Sequence, residues 1–191
     1  MSQRVCLTAL LSIALLSLAC DSQRAQPLSP PPAEPSGLES IAGGVERAVT
    51  LSDACDPETF NQALGAGSCT RNGGVTFQNF LELLGRHHSI GSWHFAPGVL
   101  TMKVGQTLVA INKGGEVHTF TEVENFGGGI VPSINQLIGE TVVAPECNQL
   151  QPSDMLKPGA RSADVEDDSG VEKYQCCIHP WMRAEIRIAD K

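Results

Sequence analysis

The sequence predicts an all-β domain, a sandwich or a barrel, that follows a small helical extension. Apolar and polar residues alternate from Leu100 to Val104 and again from Arg183 to Ile188. This alternation is typical of strands that have one face in the core and the other in water. Several short strands joined by glycine-rich turns favour a sandwich or a barrel over other all-β arrangements.

Length and charge exclude several classes of protein. The 191 residues suit one ordinary domain with extensions, and a second full domain would be cramped. Thirteen lysines and arginines against 21 acidic residues give a formal charge of −8. Because phosphate groups attract positively charged surfaces, this charge argues against a nucleic acid as partner.

Residues 1–20 are predicted to be a signal peptide. Arg4 precedes an uncharged stretch from Val5 to Ala19 that is too short to span a membrane comfortably. The stretch runs into Cys20 with a sequence similar to the cleavage box of bacterial lipoproteins, in which the cysteine carries the lipid. Cleavage by the general signal peptidase is the alternative. Both types of cleavage predict a periplasmic or otherwise extracytoplasmic chain. The lipoprotein type also predicts a membrane anchor on Cys20.

Residues 21–47 are predicted to be a proline-rich linker. Five prolines lie between Asp21 and Gly37. Such a composition favours extended conformations and cannot build a core, so the segment acts as a semi-rigid spacer. A tether between a lipid anchor and a globular domain is its natural use, and a tail without a role is the alternative.

Residues 48–90 are predicted to be the helical extension. Asp56, followed by a proline and a glutamate, has the pattern of a helix start, and Gly65 ends that helix. A second helix is predicted to begin at Thr76, to carry apolar residues three and four positions apart, and to end at Gly85.

Residues 91–191 form the predicted β domain. Within it, residues 123–172 are the least regular, with several prolines and an acidic run from Asp164 to Glu172. We expect this segment to be mostly a surface connection between strands.

Near the C-terminus, Cys176, His179 and Met182 have the spacing C-x2-H-x2-M at a junction between two predicted strands. A thiolate, an imidazole and a thioether are soft ligands that select copper, and the methionine argues against zinc. An electron-transfer copper site needs a second histidine. His118 is the best candidate because it lies at the end of the other strand-rich stretch of the sequence.

This ligand loop resembles that of the cupredoxins, the type 1 blue-copper proteins, and is most similar to the loops of amicyanin and plastocyanin. The residues that carry the likeness are His179-Pro180, Met182-Arg183 and the upstream stretch from Phe95 to His118. The resemblance covers roughly residues 92–191. Three features depart from it: a longer segment between His118 and Cys176, Thr119 in place of asparagine, and the helical extension.

The resemblance implies a cupredoxin-like, all-β Greek-key sandwich with one type 1 copper ion per chain. It implies that the metal ligands are His118, Cys176, His179 and Met182. It further implies that electrons pass through an exposed edge of the C-terminal ligand histidine, which is His179. Trp181, beside this histidine, either belongs to an apolar docking face or caps the core.

Counting cysteines supports a metal-bound thiolate. If Cys6 leaves with the signal peptide and Cys20 carries a lipid, an odd number remains. The remaining cysteines are Cys55, Cys69, Cys147, Cys176 and Cys177. In an oxidising compartment, metal binding explains why one of them stays reduced. The other four allow three pairings, of which Cys55–Cys69 with Cys147–Cys177 is favoured, because alternation points Cys177 away from Cys176.

The sequence thus predicts an exported carrier of single electrons that is not an enzyme by itself. Its partners would be redox proteins such as a cytochrome or a membrane redox complex, and the acidic run either steers a basic partner or is only a solvated loop. A periplasmic copper chaperone or sequestration protein is the alternative. A weaker third hypothesis, an oxidase or reductase, places a second copper ion at His87, His88 or His94.

Overall fold

The structure is a computed structural model that describes residues 45–191. The predicted signal peptide, with Cys20, and most of the predicted linker lie outside the described residues. Within residues 45–191, no helix combines the length and the apolar character needed to cross a membrane.

Eight strands form two four-stranded sheets that enclose the core. The first sheet has the strand order β2-β1-β4-β6 and the second has the order β3-β8-β7-β5. Pairs β1–β4 and β3–β8 are parallel, and the other neighbours are antiparallel. The fold class predicted from the sequence is confirmed. The strands are β1 (Glu46–Ser52), β2 (His94–Ala96), β3 (Val99–Lys103), β4 (Thr107–Asn112), β5 (Thr121–Val123), β6 (Arg161–Val165), β7 (Gly170–Gln175) and β8 (Arg183–Ala189).

Strand β1 begins the sandwich earlier than the sequence predicts. It lies where residues 21–47 were expected to be linker and residues 48–90 to be helical, and it pairs with β4 from Glu46 to Leu51. The helices are therefore an insertion between β1 and β2. Only Val49 and Leu51 of this strand are buried, and its partners are distant in sequence, so the local pattern did not reveal it.

The helices begin where the sequence predicts. Helix α1 (Pro57–Leu64) is capped by the Asp56 side chain, and α2 (Phe77–His87) by that of Thr76. Each cap accepts a hydrogen bond from a backbone N–H of the first turn, as helix N-termini require. Helix α2 continues past Gly85, the predicted end, to His87. Gly85 faces a Leu137 side chain of α3 (Pro132–Ile138), at a distance where an added methyl group would make an ordinary contact.

Residues 123–172 contain more structure than the expected surface connection. They include α3, two short 3₁₀ helices (Pro145–Gln149 and Pro152–Asp154) and strand β6. Every residue of β6 is exposed, so an apolar pattern could not have revealed it. Its position is set by backbone pairing with β4 at the edge of the sheet.

Both favoured disulfides are confirmed. Cys55–Cys69 encloses α1, and Cys147–Cys177 ties a 3₁₀ helix to the residue that follows Cys176. Cys176 is the free cysteine of the described part of the chain.

Three aromatic rings join the helical insertion to the sandwich. Phe60 of α1 lies 5.5 Å from Phe80 of α2, and Phe80 lies 5.1 Å from Trp93, which directly precedes β2. All three are buried in the same core cluster as Cys176. The insertion therefore shares one core with the sheets.

Replacing Phe80 by alanine tests this packing. Removing a buried ring leaves a cavity, so Phe80→Ala is expected to lower the free energy of unfolding by about 3–5 kcal/mol. Leu64→Ala is the control, because this α1 residue is 56% exposed and its loss should cost less than about 0.5 kcal/mol. Urea unfolding followed by circular dichroism measures both, and equal losses would contradict the packing.

One acidic residue of the run from Asp164 to Glu172 is not solvated. Glu166 is only 6% exposed, and its Oε1 has no hydrogen-bond partner. Burial, followed by the nearby charges of Glu172 and Asp164, raises its pKa to about 7. Between its ordinary pKa and this raised value, the folded chain holds a proton that the unfolded chain has released. Stability should therefore fall as the pH rises through this window.

The variant Glu166→Gln tests this pH dependence. Glutamine stays neutral, so the loss of stability between about pH 5 and about pH 8 should be smaller in the variant than in the parent. Asp168→Asn, an exposed neighbour in the same loop, is the control. Urea unfolding at both pH values measures the effect, and an unchanged slope in Glu166→Gln would show that Glu166 does not cause it.

Candidate metal centre

The loop between β7 and β8 presents three of the predicted ligands from a closed turn. The Met182 N–H donates to the His179 carbonyl at 2.9 Å, and the Cys176 N–H donates to the Met182 carbonyl at 3.0 Å. Cys176 and Met182 are fully buried, and His179 is 3% exposed. The loop therefore holds these side chains inside the protein.

His118 reaches the same place from the segment between β4 and β5. Its backbone N–H donates to the Leu156 carbonyl at 3.1 Å, and its carbonyl accepts from the Leu156 N–H at 2.8 Å. Its Nδ1 lies 3.8 Å from the Cys176 Sγ, the same distance that separates this sulfur from the His179 Nδ1. The structure thus brings His118, Cys176 and His179 together as a group that could hold a metal ion.

These distances fit a trigonal metal centre. Bond lengths like those in zinc sites, about 2.3 Å to sulfur and about 2.0 Å to nitrogen, place the two donor atoms about 3.7 Å apart when the angle at the metal is about 120°. The observed sulfur–nitrogen distances are both 3.8 Å. Met182, buried in the same loop, remains the predicted fourth ligand.

The electrostatics favour a thiolate at Cys176. Burial alone would raise the pKa of this thiol, but its contacts with His118 and His179 bring the pKa well below its usual value. The backbone N–H of Thr119 also donates to the sulfur, at 3.4 Å. Since the thiolate is the form that binds metals, the sulfur is prepared for that role.

Thr119, which departs from the cupredoxin pattern, has a definite place. Its Oγ1 accepts hydrogen bonds from the Cys177 N–H at 2.8 Å and from the Thr121 hydroxyl at 3.0 Å, and the side chain is fully buried. Thr119 therefore contacts both the Cys176 sulfur and the backbone of Cys177, which belongs to a disulfide.

Asp53 contacts the outer side of His118, and sequence reasoning missed it. Its Oδ2 lies 2.9 Å from the His118 Nε2 and accepts from the backbone N–H of Glu116. Burial would raise the pKa of Asp53, but these hydrogen bonds and one from Gly115 lower it to about 2. Burial would lower the pKa of His118, whereas Asp53 and Cys176 raise it to about 9. This environment stabilises positive charge at the ring.

Glu116 lies beside the Nε2 of His179, as Asp53 lies beside the Nε2 of His118. Its Oε2 accepts a hydrogen bond from the Trp93 indole at 2.6 Å and lies 3.7 Å from the His179 Nε2. Burial raises the pKa of this carboxyl group, and the nearby His179 acts in the opposite direction. No local sequence pattern pointed to Glu116, because its partners come from other elements.

The expectation of an exposed edge at His179 is wrong. The ring lies 6.3 Å from the Phe80 ring and 5.4 Å from the Trp181 ring, both edge-on, and little of it reaches solvent. Trp181 therefore caps the site. A cavity of about 190 Å³, lined mainly by apolar side chains of α1, α2 and α3, approaches the covered ring.

The other histidines do not form a second site. His87, His88 and His94 are exposed. Among residues 45–191, the groups of three ligand side chains are the His118 group and one made of Asp53, Cys55 and Glu116. Cys55 in that second group is bonded to Cys69, so it offers no free thiolate.

Comparison with known proteins finds similar folds among solved structures. No protein-family model matches the sequence, and no curated protein does. A purple cupredoxin from Nitrosopumilus maritimus is 18% identical, with a TM-score of 0.41 over 74% of this chain and 98% of its own. Amicyanin from Paracoccus versutus is 19% identical, with a TM-score of 0.34 over 53% of this chain and 77% of its own. A mutant of amicyanin in the Cu(I) form is 20% identical, with a TM-score of 0.35 over 53% of this chain and 78% of its own. The likeness concerns the fold alone.

Thr119→Val tests the hydrogen bonds below the site. Valine keeps the shape but leaves the Cys177 N–H without its acceptor, so the free energy of unfolding should fall by about 1–3 kcal/mol. Thr119→Ser keeps the hydroxyl and is the matched control. Chemical denaturation measures both variants. A Thr119→Val variant as stable as the parent would contradict this role of the hydroxyl group.

Proposed function

We propose that this chain is a type 1 copper protein that carries single electrons. His118, Cys176 and His179 would be the strong ligands and Met182 the weak axial one. The observation that carries the proposal is one buried sulfur with two imidazole Nδ1 atoms at equal distances of 3.8 Å. Trigonal His2Cys coordination with a distant methionine is the donor set of electron-transfer copper sites.

The donor set favours copper over zinc. Structural zinc sites use four strong ligands of the thiolate, imidazole or carboxylate type. Here the two nearby carboxylates, Asp53 and Glu116, lie at the Nε2 side of the histidines, whereas the sulfur lies at the Nδ1 side. They are therefore placed behind the rings, and the fourth donor available within the ligand loop is the soft Met182.

A buried and internally bonded site suits electron transfer. Bound copper would supply a one-electron change between its two oxidation states. The chain excludes water, because Cys176, His118 and Met182 are fully buried, and it orients the ligands through backbone hydrogen bonds of the loop. A site held in this way needs little rearrangement when its charge changes.

The same burial favours a carrier over an enzyme or a copper chaperone. A catalytic metal keeps an open position for substrate or water, and a chaperone must release its ion to an acceptor. The four proposed ligands are at most 3% exposed. We therefore rank copper handling second, and ready transfer of copper to an acceptor protein, without fast electron self-exchange, would favour it.

Export, a lipid on Cys20 and a protein redox partner remain proposals that rest on the sequence. The two disulfides support an extracytoplasmic place, because such bonds persist mainly in oxidising compartments. The partner would be another redox protein, such as a cytochrome or a membrane complex.

Cys176→Ser tests the proposed function. Loading the parent with Cu²⁺ should give one ion per chain and an intense visible band from sulfur-to-copper charge transfer. The variant should lose this band, because serine cannot supply the thiolate. Visible and electron paramagnetic resonance spectra measure the change.

A triple variant, His87→Ala, His88→Ala and His94→Ala, is the control. It leaves the proposed ligands intact, so the band and the single copper ion should remain. A parent protein without the band would refute the type 1 site. Loss of copper in the triple variant would instead support the oxidase or reductase hypothesis.

A further inference from the structure

Both histidines of the candidate metal centre have a buried carboxylate at their outer nitrogen. Asp53 lies 2.9 Å from the Nε2 of His118, with side-chain exposures of 1% and 0%. Glu116 lies 3.7 Å from the Nε2 of His179, with exposures of 9% and 3%. Burying two carboxylates beside the two histidine rings costs folding free energy unless their charges are compensated.

The helical insertion contributes to this arrangement, although Glu116 itself lies between β4 and β5. Asp53 follows the last residue of β1, and Trp93 precedes the first residue of β2, so the two lie at opposite ends of the insertion. Asp53 reaches His118 directly, whereas Trp93 orients Glu116 through its indole N–H at 2.6 Å. The insertion therefore contributes contacts to the outer side of each histidine.

The backbone around Asp53 is shaped for its carboxylate. A side chain at Gly114 would collide with that carboxylate, and one at Gly115 would collide with the Cys55 sulfur and the Arg71 backbone. The carboxylate accepts from the N–H groups of Gly115 and Glu116 as well as facing His118. Its position is thus determined independently of the histidine.

We propose that Asp53 and Glu116 tune the reduction potential of the site, and that Asp53 is in addition a positioning residue that orients His118. The inference deepens the proposed function and rests on it. Asp53 accepts the Nε2 hydrogen of His118, which leaves Nδ1 as the metal-binding nitrogen. Glu116 acts on His179 mainly through its charge, because 3.7 Å exceeds a hydrogen bond.

The direction of the effect on the potential follows from charge. Negative groups behind the ligand rings stabilise the more positive oxidation state of the metal. Removing either carboxylate charge should therefore raise the reduction potential. Loss of the direct hydrogen bond should also weaken metal binding, since replacing partners of this kind typically costs 10–100-fold in affinity.

The experiment compares three acid-to-amide variants of the copper-loaded protein at one pH. Glu116→Gln keeps an acceptor for Trp93 and removes the charge. Asp53→Asn removes the charge and places an amide N–H₂ among N–H donors. Glu82→Gln is the matched control, because Glu82 is an exposed acid on α2 of the same insertion.

Reduction potential and Cu²⁺ affinity are the readouts. Glu116→Gln should lower the ratio of Cu²⁺ to Cu⁺ affinity about tenfold, which corresponds to a rise of about 59 mV in the potential. Asp53→Asn should raise the potential and weaken Cu²⁺ binding about tenfold or more. Glu82→Gln should match the parent in both quantities.

Several outcomes would overturn the inference. Potentials and affinities equal to those of Glu82→Gln in both variants would show that the carboxylates only satisfy buried polar groups. If Asp53→Asn does not fold, Glu116→Gln decides alone, and an unchanged potential there refutes the proposal. Absence of the visible band from the parent protein would instead refute the copper site itself, so the two failures are distinguishable.

Discussion

A buried sulfur between two imidazole rings, in surroundings that favour its thiolate form, is the constraint on which the rest of this structure depends. Cys176 is free, fully buried and at equal distances from His118 and His179. A charge withdrawn from water in this way is costly unless partners compensate it. Because the two rings come from segments about 60 residues apart in sequence, the partners assemble only when the sandwich is closed.

The helical insertion determines part of the surroundings of this sulfur and its two histidines. Its Phe80 covers His179 together with Trp181 of the ligand loop. At the two ends of the insertion, Asp53 faces His118 directly and Trp93 donates a hydrogen bond to Glu116 beside His179. The site is consequently dry and closed, which suits a carrier of electrons better than a protein that must admit a substrate or release its metal.

Several features were predictable because they depend on residues close together in the chain. Asp56 and Thr76 mark the starts of their helices because each side chain accepts a hydrogen bond from a backbone N–H within the first turn. The ligand loop around Cys176 is a short motif, and the disulfides followed from cysteine parity and strand alternation. Strand β6 was not predictable, because all of its residues are exposed and only pairing with β4 defines it.

The sequence by itself determined the proposed donor chemistry: one cysteine that stays reduced, two imidazoles and a thioether, carried by a β-sandwich. It did so because donor type belongs to each side chain wherever the chain places it. Only the tertiary structure decided how exposed His179 is and what lies behind each ring. Those properties arise from contacts between segments distant in sequence: Asp53 and Trp93 at the ends of the insertion, and Glu116 between β4 and β5, which no local pattern records.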